Sequence, residues 1–176
     1  MTAYFRRQLA DYVEYHRDPW NCAAHVVGII VLFLGAVLPL TLWPIPGFGG
    51  YVTLATLLAL PVLIYWLALD TALGLGIVAA AVVLLSTAAS IVANVSAPGV
   101  WIIAAVLVAI GVTAQVVGHK VFEQRKASMA DHPAHFLLGP MFVMAKFFIA
   151  LGFRHDLASI IGPVAQPASV SYPGNR

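Results

Sequence analysis

The sequence predicts an all-α integral membrane protein, a helical bundle with four transmembrane spans. Of its 176 residues, 61% are hydrophobic and 9% are charged, and the mean hydropathy is +0.93. Soluble domains carry roughly 25% charged residues. No Asp, Glu, Lys or Arg lies between Asp18 and Asp70, or between Asp70 and Lys120. Because about 20 apolar residues cross a bilayer, each interval has room for two spans.

The four apolar runs are separated by recognisable turns. The first two runs are 26–43 and 51–69, and the turn between them contains two prolines and three glycines. The third run, 73–93, is rich in Gly, Ala, Ser and Thr, which allow membrane helices to approach closely. We therefore expect the third helix at the centre of the bundle. The fourth run extends from Val100 toward His119.

The N-terminal segment predicts a short helix at the membrane interface. Phe5, Leu9, Tyr12 and His16 recur at helical spacing, while the charged residues of this segment fall on other faces. Asp18 precedes a proline, and proline is favoured in a first helical turn. Asp18 is therefore the predicted N-cap of the first long helix.

The C-terminal third is less regular. The apolar run FLLGPMFVMAKFFIALGF contains Pro140 and Lys146, so it predicts a re-entrant or interfacial helix pair, with a fifth crossing as the alternative. Residues 1–161 are predicted to form a single helical membrane domain. Residues 162–176, with three prolines among small polar residues, are predicted to be a disordered tail.

The basic residues predict the orientation in the lipid bilayer. Lys and Arg precede the first span and follow the fourth, and neither intervening far-side loop contains one. Because Lys and Arg accumulate on the cytoplasmic side, both termini should be cytosolic, in a bacterial inner membrane or an endoplasmic reticulum. The bases are too few and too scattered for nucleic-acid binding.

Two polar clusters, YHRDPWNCAAHVVG and AQVVGHKVFEQR, predict a metal site at the cytosolic face. A helix corner at the proline of the first cluster would let His16 and His25 converge, and the predicted orientation places His119 at the same face. His132 and His135 are further candidate ligands, whereas His155 is expected to be structural. Asp70 is expected to cap a span. Three polar residues can either support the ligands or form interhelical hydrogen bonds: Asn21, Gln115 and Glu123.

The residue types restrict the metal without identifying it. Cys22 is the only cysteine, so an internal disulfide and a thiolate zinc site are both excluded. Imidazole with carboxylate suits non-haem iron, manganese or zinc. The histidine boxes of membrane hydroxylases and the HExxH motif of zincins are absent. A single metal held by dispersed histidines remains.

The segments YHRDPWNCAAH, AQVVGHKVFEQR and GPMFVMAKFF, separated by apolar spans, resemble the membrane 2-hydroxy fatty acid dioxygenases. The resemblance covers Tyr15 to Phe153. It implies an Fe(II)-dependent enzyme that uses O₂ to cleave a 2-hydroxy fatty acid into the fatty acid one carbon shorter. Carrying over the essential histidines of the family makes His16, His25 and His119 the catalytic metal ligands.

Two positions depart from the pattern of that family. Lys126 and Ala127 stand where a Pro-Ala pair is usual, and Lys146 replaces an acidic residue. Lys146 or Arg17 is a candidate partner for the carboxylate of the fatty acid. The alternative function is a non-catalytic lipid-binding or carrier protein with a structural histidine and zinc cluster. Since the ionisable groups cluster at one face and not at mid-membrane, an enzyme is favoured over a carrier, although the same clustering suits a structural zinc site that ties the termini to the bundle.

Overall fold

The computed structural model describes residues 1–50, 52–124 and 133–162 of the chain, and within them the fold is all-α, as predicted. A 3₁₀ turn over Pro133–Leu137 accompanies the α-helices. The α-helices are α1 (Ala3–Glu14), α2 (Pro19–Thr41), α3 (Leu54–Leu69), α4 (Thr71–Asn94), α5 (Ala97–Val117), α6 (Gly139–Ala150) and α7 (His155–Ile161), and α5 continues as a π-helix over Gly118–Glu123.

Within the described residues, three helices are long and apolar enough to cross a membrane. They cover Pro19–Thr41, Thr71–Asn94 and Ala97–Glu123, the last including the π-helical segment. The predicted second span is shorter than expected, because α3 has 16 residues and is about 24 Å long, less than the roughly 30 Å of a hydrocarbon core. The four-span count therefore stays a prediction, with α3 as its short member.

The central helix is α2. It packs along α5 and also contacts α3, α4 and α6. The α2–α5 pair is antiparallel and close: a Cβ on Gly28 would lie 3.3 Å from the carbonyl oxygen of Gly111, and one on Gly35 would lie 3.0 Å from the backbone nitrogen of Val108. Glycine at these positions lets the two backbones meet, as is usual where membrane helices pack tightly.

The prediction that the third apolar run forms the centre of the bundle is wrong. That run is α4, and a smaller share of it is buried than of α2. Its N-terminal half packs on α3 and α6, where Leu73 and Ile77 enter the main core. Small residues permit close packing on any side of a helix, so their abundance does not indicate which helix is surrounded.

The N-terminal helix forms where its periodicity predicts. Phe5, Leu9 and Tyr12 on α1 are buried, and this face packs against protein, including Leu157 of α7. The C-terminal apolar run, 136–153, contains α6, whereas α7 begins beyond it at His155, so the predicted helix pair within this run is not confirmed. Whether α1 and α6 lie at a membrane interface stays a prediction. Of the predicted tail 162–176, all but Gly162 lies outside the described residues.

Both predicted helix caps are confirmed. Asp18 has extended backbone angles, and its carboxylate accepts hydrogen bonds from the backbone nitrogens of Trp20 and Asn21, so α2 begins at Pro19. Asp70 lies between α3 and α4 and accepts a hydrogen bond from the backbone nitrogen of Leu73. The first cap fixes the corner between α1 and α2, where the first polar cluster lies.

Candidate metal centre

Three histidines meet at the end of the bundle where α1 joins α2 and α5 ends. One ring nitrogen from each of His16, His25 and His119 lies within 4.8 Å of the corresponding atoms of the other two. The ring centroids are 4.5 Å apart for His16 and His25, 5.0 Å for His16 and His119, and 4.7 Å for His25 and His119. All three side chains are buried. The predicted convergence of these histidines is present in the fold.

His16 lies in the corner between α1 and α2 and is held from one side by Tyr12. Its Nδ1 donates to the carbonyl oxygen of Tyr12 at 2.8 Å, and the two rings stack at 4.0 Å. Nε2 is buried without a hydrogen-bond partner. Burial lowers the pKa of His16 to about 3, and the neighbouring His25, His119 and His135 act in the same direction. The ring is therefore neutral and keeps a lone pair on Nε2.

His25 is oriented in the same way on the first turns of α2. Its Nδ1 lies 3.0 Å from the carbonyl oxygen of Asn21, one helical turn earlier. Because a carbonyl oxygen only accepts, Nδ1 carries the proton and Nε2 keeps its lone pair. A hydrogen bond from the second ring nitrogen to a carbonyl is the usual support of a metal-binding histidine.

His119 enters the group from a π-helical turn. The hydrogen-bonding pattern of α5 changes at Gly118, and the π-helix ends at Glu123, directly before Gln124, whose φ of 54° is left-handed. A π-helical turn shifts the side chains after it around the helix, and such turns are frequent at functional sites. The Nδ1 of His119 is buried without a hydrogen-bond partner.

Close contact between the π-helix and α2 requires glycine at position 118. A Cβ there would lie 2.4 Å from Oδ1 of Asn21 and 3.4 Å from Nδ1 of His25. The side chain of Asn21 is fully buried at this point. Sequence reasoning missed both this requirement and the stacking of Tyr12. The glycine directly before His119, and the position of Tyr12 on the buried stripe of α1, were the available signals.

Two of the predicted supporting residues join the elements of the site. Glu123 accepts hydrogen bonds from the backbone nitrogens of Arg17 and Asp18, each at 3.0 Å, and from Nδ2 of Asn21 at 2.9 Å. The third predicted residue, Gln115, lies one turn before the π-helix, against Gly28 of α2. Its supporting role stays a prediction.

Among the described residues, none of the other predicted site residues belongs to the three-histidine group. His135, on the 3₁₀ turn, is buried, and its ring centroid is 5.6 Å from that of Tyr12. His132 lies outside the described residues. Nζ of Lys146 lies 5.1 Å from the ring centroid of Phe142, whose ring centroid is 5.6 Å from that of His16. The exposed guanidinium of Arg17 pairs with Glu14.

Comparison with known proteins identifies the family. Residues 2–151 match the family described as 2-hydroxy-palmitic acid dioxygenase Mpo1-like. The chain belongs to this family. The match includes all three grouped histidines and all three segments on which the resemblance was based. Neither the curated proteins nor the solved structures include a match.

The residues of this Mpo1-like chain fit a bound metal ion. Nε2 of His16 and Nδ1 of His119 are buried nitrogens without hydrogen-bond partners, and one ring nitrogen from each of the three histidines lies within 4.8 Å of the other two. Leaving such groups without a partner is costly unless a ligand satisfies them. Neutral imidazoles with their second nitrogen bonded to a carbonyl suit zinc, copper, iron or nickel. The three-histidine group can therefore hold a metal, and the family name suggests a dioxygenase.

Proposed function

We propose that the chain is an Fe(II)-dependent dioxygenase that cleaves 2-hydroxy fatty acids to the fatty acid one carbon shorter, in fatty acid α-oxidation. The observation that carries this proposal is the buried group of His16, His25 and His119, whose ring nitrogens converge within 4.8 Å. Membership of the 2-hydroxy-palmitic acid dioxygenase Mpo1-like family supports the choice of reaction.

In this proposal His16, His25 and His119 hold the iron. When bound, Fe(II) with open coordination positions supplies the site for O₂ and for the substrate oxygens. The contribution of the chain is orientation. Carbonyl oxygens of Tyr12 and Asn21 fix the tautomers of His16 and His25, and burial keeps bulk water from the ring nitrogens.

The acyl chain of the substrate would lie among the apolar helices. Large apolar side chains are exposed next to the histidine-bearing segments, and Trp20 and Phe122 lie with their ring centroids 6.5 Å apart. An acyl chain can approach the site from the hydrocarbon side along such a surface. Lys146 and Arg17 remain the proposed partners of the substrate carboxylate. Of these, Lys146 lies on the buried side of the site, because its Nζ contacts the ring of Phe142, which lies beside His16.

The membrane arrangement that we propose has α2, α3, α4 and α5 as four alternating spans. Nε1 of Trp66, near the end of α3, donates to the carbonyl oxygen of Leu137 in the 3₁₀ turn. In this arrangement α3 ends on the same side of the bundle as the three histidines. The asymmetry of Lys and Arg then puts both termini and the metal centre on the cytosolic face, in a bacterial inner membrane or an endoplasmic reticulum.

The test is metal analysis of the purified protein, followed by anaerobic Fe(II) reconstitution and an oxygen-uptake assay with a 2-hydroxy fatty acid. Wild type should bind one iron and release a fatty acid one carbon shorter. His119→Ala should lose both properties. His155→Ala is the matched control, because His155 is exposed and lies outside the three-histidine group.

Each component of the proposal has its own contrary outcome. Zinc without oxygen uptake would favour the alternative, a non-catalytic lipid-binding or carrier protein with a structural zinc cluster. Unchanged substrate binding by Lys146→Ala and Arg17→Ala would remove those residues as carboxylate partners. Unchanged metal content in His132→Ala and His135→Ala would limit the ligand set to the three grouped histidines.

A further inference from the structure

The carboxylate of Glu123 contacts the segments that carry all three histidines. Its Oε1 accepts from the backbone nitrogen of Arg17, and its Oε2 accepts from that of Asp18, both at 3.0 Å. These two amides directly follow His16. Glu123 itself ends the π-helix that carries His119. One side chain therefore joins two chain segments that are more than 100 residues apart in the sequence.

The third hydrogen bond extends this connection to His25. Oε2 of Glu123 also accepts from Nδ2 of Asn21 at 2.9 Å, and the carbonyl oxygen of Asn21 accepts from Nδ1 of His25 at 3.0 Å. Asn21 is fully buried. One carboxylate thus connects the π-helix, the corner between α1 and α2, and the first turn of α2.

We propose that Glu123 is a positioning residue that sets the relative positions of His16, His25 and His119 and thereby the affinity of the metal centre. This inference rests on the proposed function, because it assumes that these histidines bind a metal. Glu123 does not contact the metal in this proposal. It acts through the backbone next to His16 and through Asn21.

The number and charge of the hydrogen bonds explain why a carboxylate is needed. Three N–H groups converge on two oxygens, and bonds to an ionised acceptor are roughly twice as strong as neutral ones. Glutamine at position 123 keeps one acceptor oxygen, which can serve Asp18 and Asn21, while its amide group faces the N–H of Arg17. Glutamine should therefore retain part of the connection, and alanine should retain none.

The experiment measures Co²⁺ binding to the full-length protein in detergent, by titration of the visible absorption bands of the bound ion. Loss of an outer hydrogen-bond partner typically lowers metal affinity about 10- to 100-fold. We expect a decrease in that range for Glu123→Ala, a smaller decrease for Glu123→Gln, and a changed absorption spectrum in both. Glu14→Ala is the matched control, since the carboxylate of Glu14 pairs with the exposed side chain of Arg17.

Amide hydrogen exchange without metal tests the connection itself. In wild type, the amides of Arg17 and Asp18 should be protected, and in Glu123→Ala they should lose that protection, while the thermal unfolding temperature of Glu123→Gln stays close to that of wild type. Co²⁺ affinity and spectrum of Glu123→Ala equal to those of wild type would overturn the inference and leave the proposed function intact. Wild-type protein that binds no Co²⁺ would overturn both.

Discussion

His16 and Tyr12 contact each other twice, through the hydrogen bond from Nδ1 of His16 to the carbonyl oxygen of Tyr12 at 2.8 Å and through ring stacking at 4.0 Å. The hydrogen bond determines which ring nitrogen is protonated, and the stacking determines the plane of the ring. Together they leave Nε2 of His16 as the lone-pair atom in the histidine group. This places the aromatic ring of Tyr12, and not only its backbone, among the determinants of the site.

The stacking can be tested by comparing Tyr12→Leu with Tyr12→Phe. Aromatic pairs contribute about 0.5–1.5 kcal/mol beyond the area they bury. Tyr12→Leu should therefore lower the unfolding temperature and weaken Co²⁺ binding, because it removes the ring that fixes His16. Tyr12→Phe keeps the ring and should retain Co²⁺ affinity near the wild-type value. Equal affinity of the two variants would show that the backbone hydrogen bond alone orients His16.

Gly118→Ala should destabilise the protein although alanine favours helices. Alanine gains about 1 kcal/mol over glycine in a helix. The added Cβ would, however, lie 2.4 Å from Oδ1 of Asn21, and overpacking of this kind costs about 1–3 kcal/mol. Displacing Asn21 also weakens its charge-assisted hydrogen bond to Glu123, worth about 1.5–3 kcal/mol. We expect a net loss of about 2 kcal/mol in a thermal unfolding measurement.

The control for Gly118→Ala is Val117→Ala, a neighbouring substitution at an exposed position. A substitution at such a position should change the free energy of unfolding by no more than about 0.5 kcal/mol. If Gly118→Ala were as stable as this control, the close contact with Asn21 would not exist in solution.

Asp70 and Asp156 provide a matched pair of substitutions on one arginine. Arg154 donates to Asp70 at 2.8 Å and to Asp156 at 2.9 Å, and the side-chain exposure of the two carboxylates is 2% and 54%. Breaking a buried pair costs about 3 kcal/mol or more, whereas exposed pairs contribute about 0–1 kcal/mol. Asp70→Asn should thus destabilise the protein far more than Asp156→Asn. Similar unfolding temperatures would show that Asp70 is solvated.

Acid should remove the contribution of Asp70. Burial by itself raises the pKa of Asp70, but hydrogen bonds from Arg154 and the Leu73 amide outweigh it, so the pKa is below its ordinary value. A carboxyl group whose pKa is lowered by folding contributes its full stabilisation of the folded state above the unfolded pKa of about 3.9. It loses that contribution as the pH falls through the folded pKa. The difference in unfolding temperature between wild type and Asp70→Asn should therefore shrink as the pH falls below about 4. A constant difference would contradict the lowered pKa.

Local patterns in the sequence determined much of this fold. The buried face of α1 followed from the spacing of Phe5, Leu9 and Tyr12, and the start of α2 followed from Asp18 and Pro19, because periodicity and capping depend on residues within a few positions of each other. The apolar intervals identified the three long helices. The two polar clusters contained the three histidines that converge.

The tertiary structure decided how these segments fit together. In the folded chain α2 is the central helix, α3 has only 16 residues, and α5 ends in a π-helix. His135 lies beside Tyr12 and is not part of the three-histidine group. The tertiary structure also brought Glu123 to the amides after His16. These features depend on contacts between residues far apart in the sequence, and on steric limits such as that at Gly118, which no local pattern of apolar and polar residues specifies.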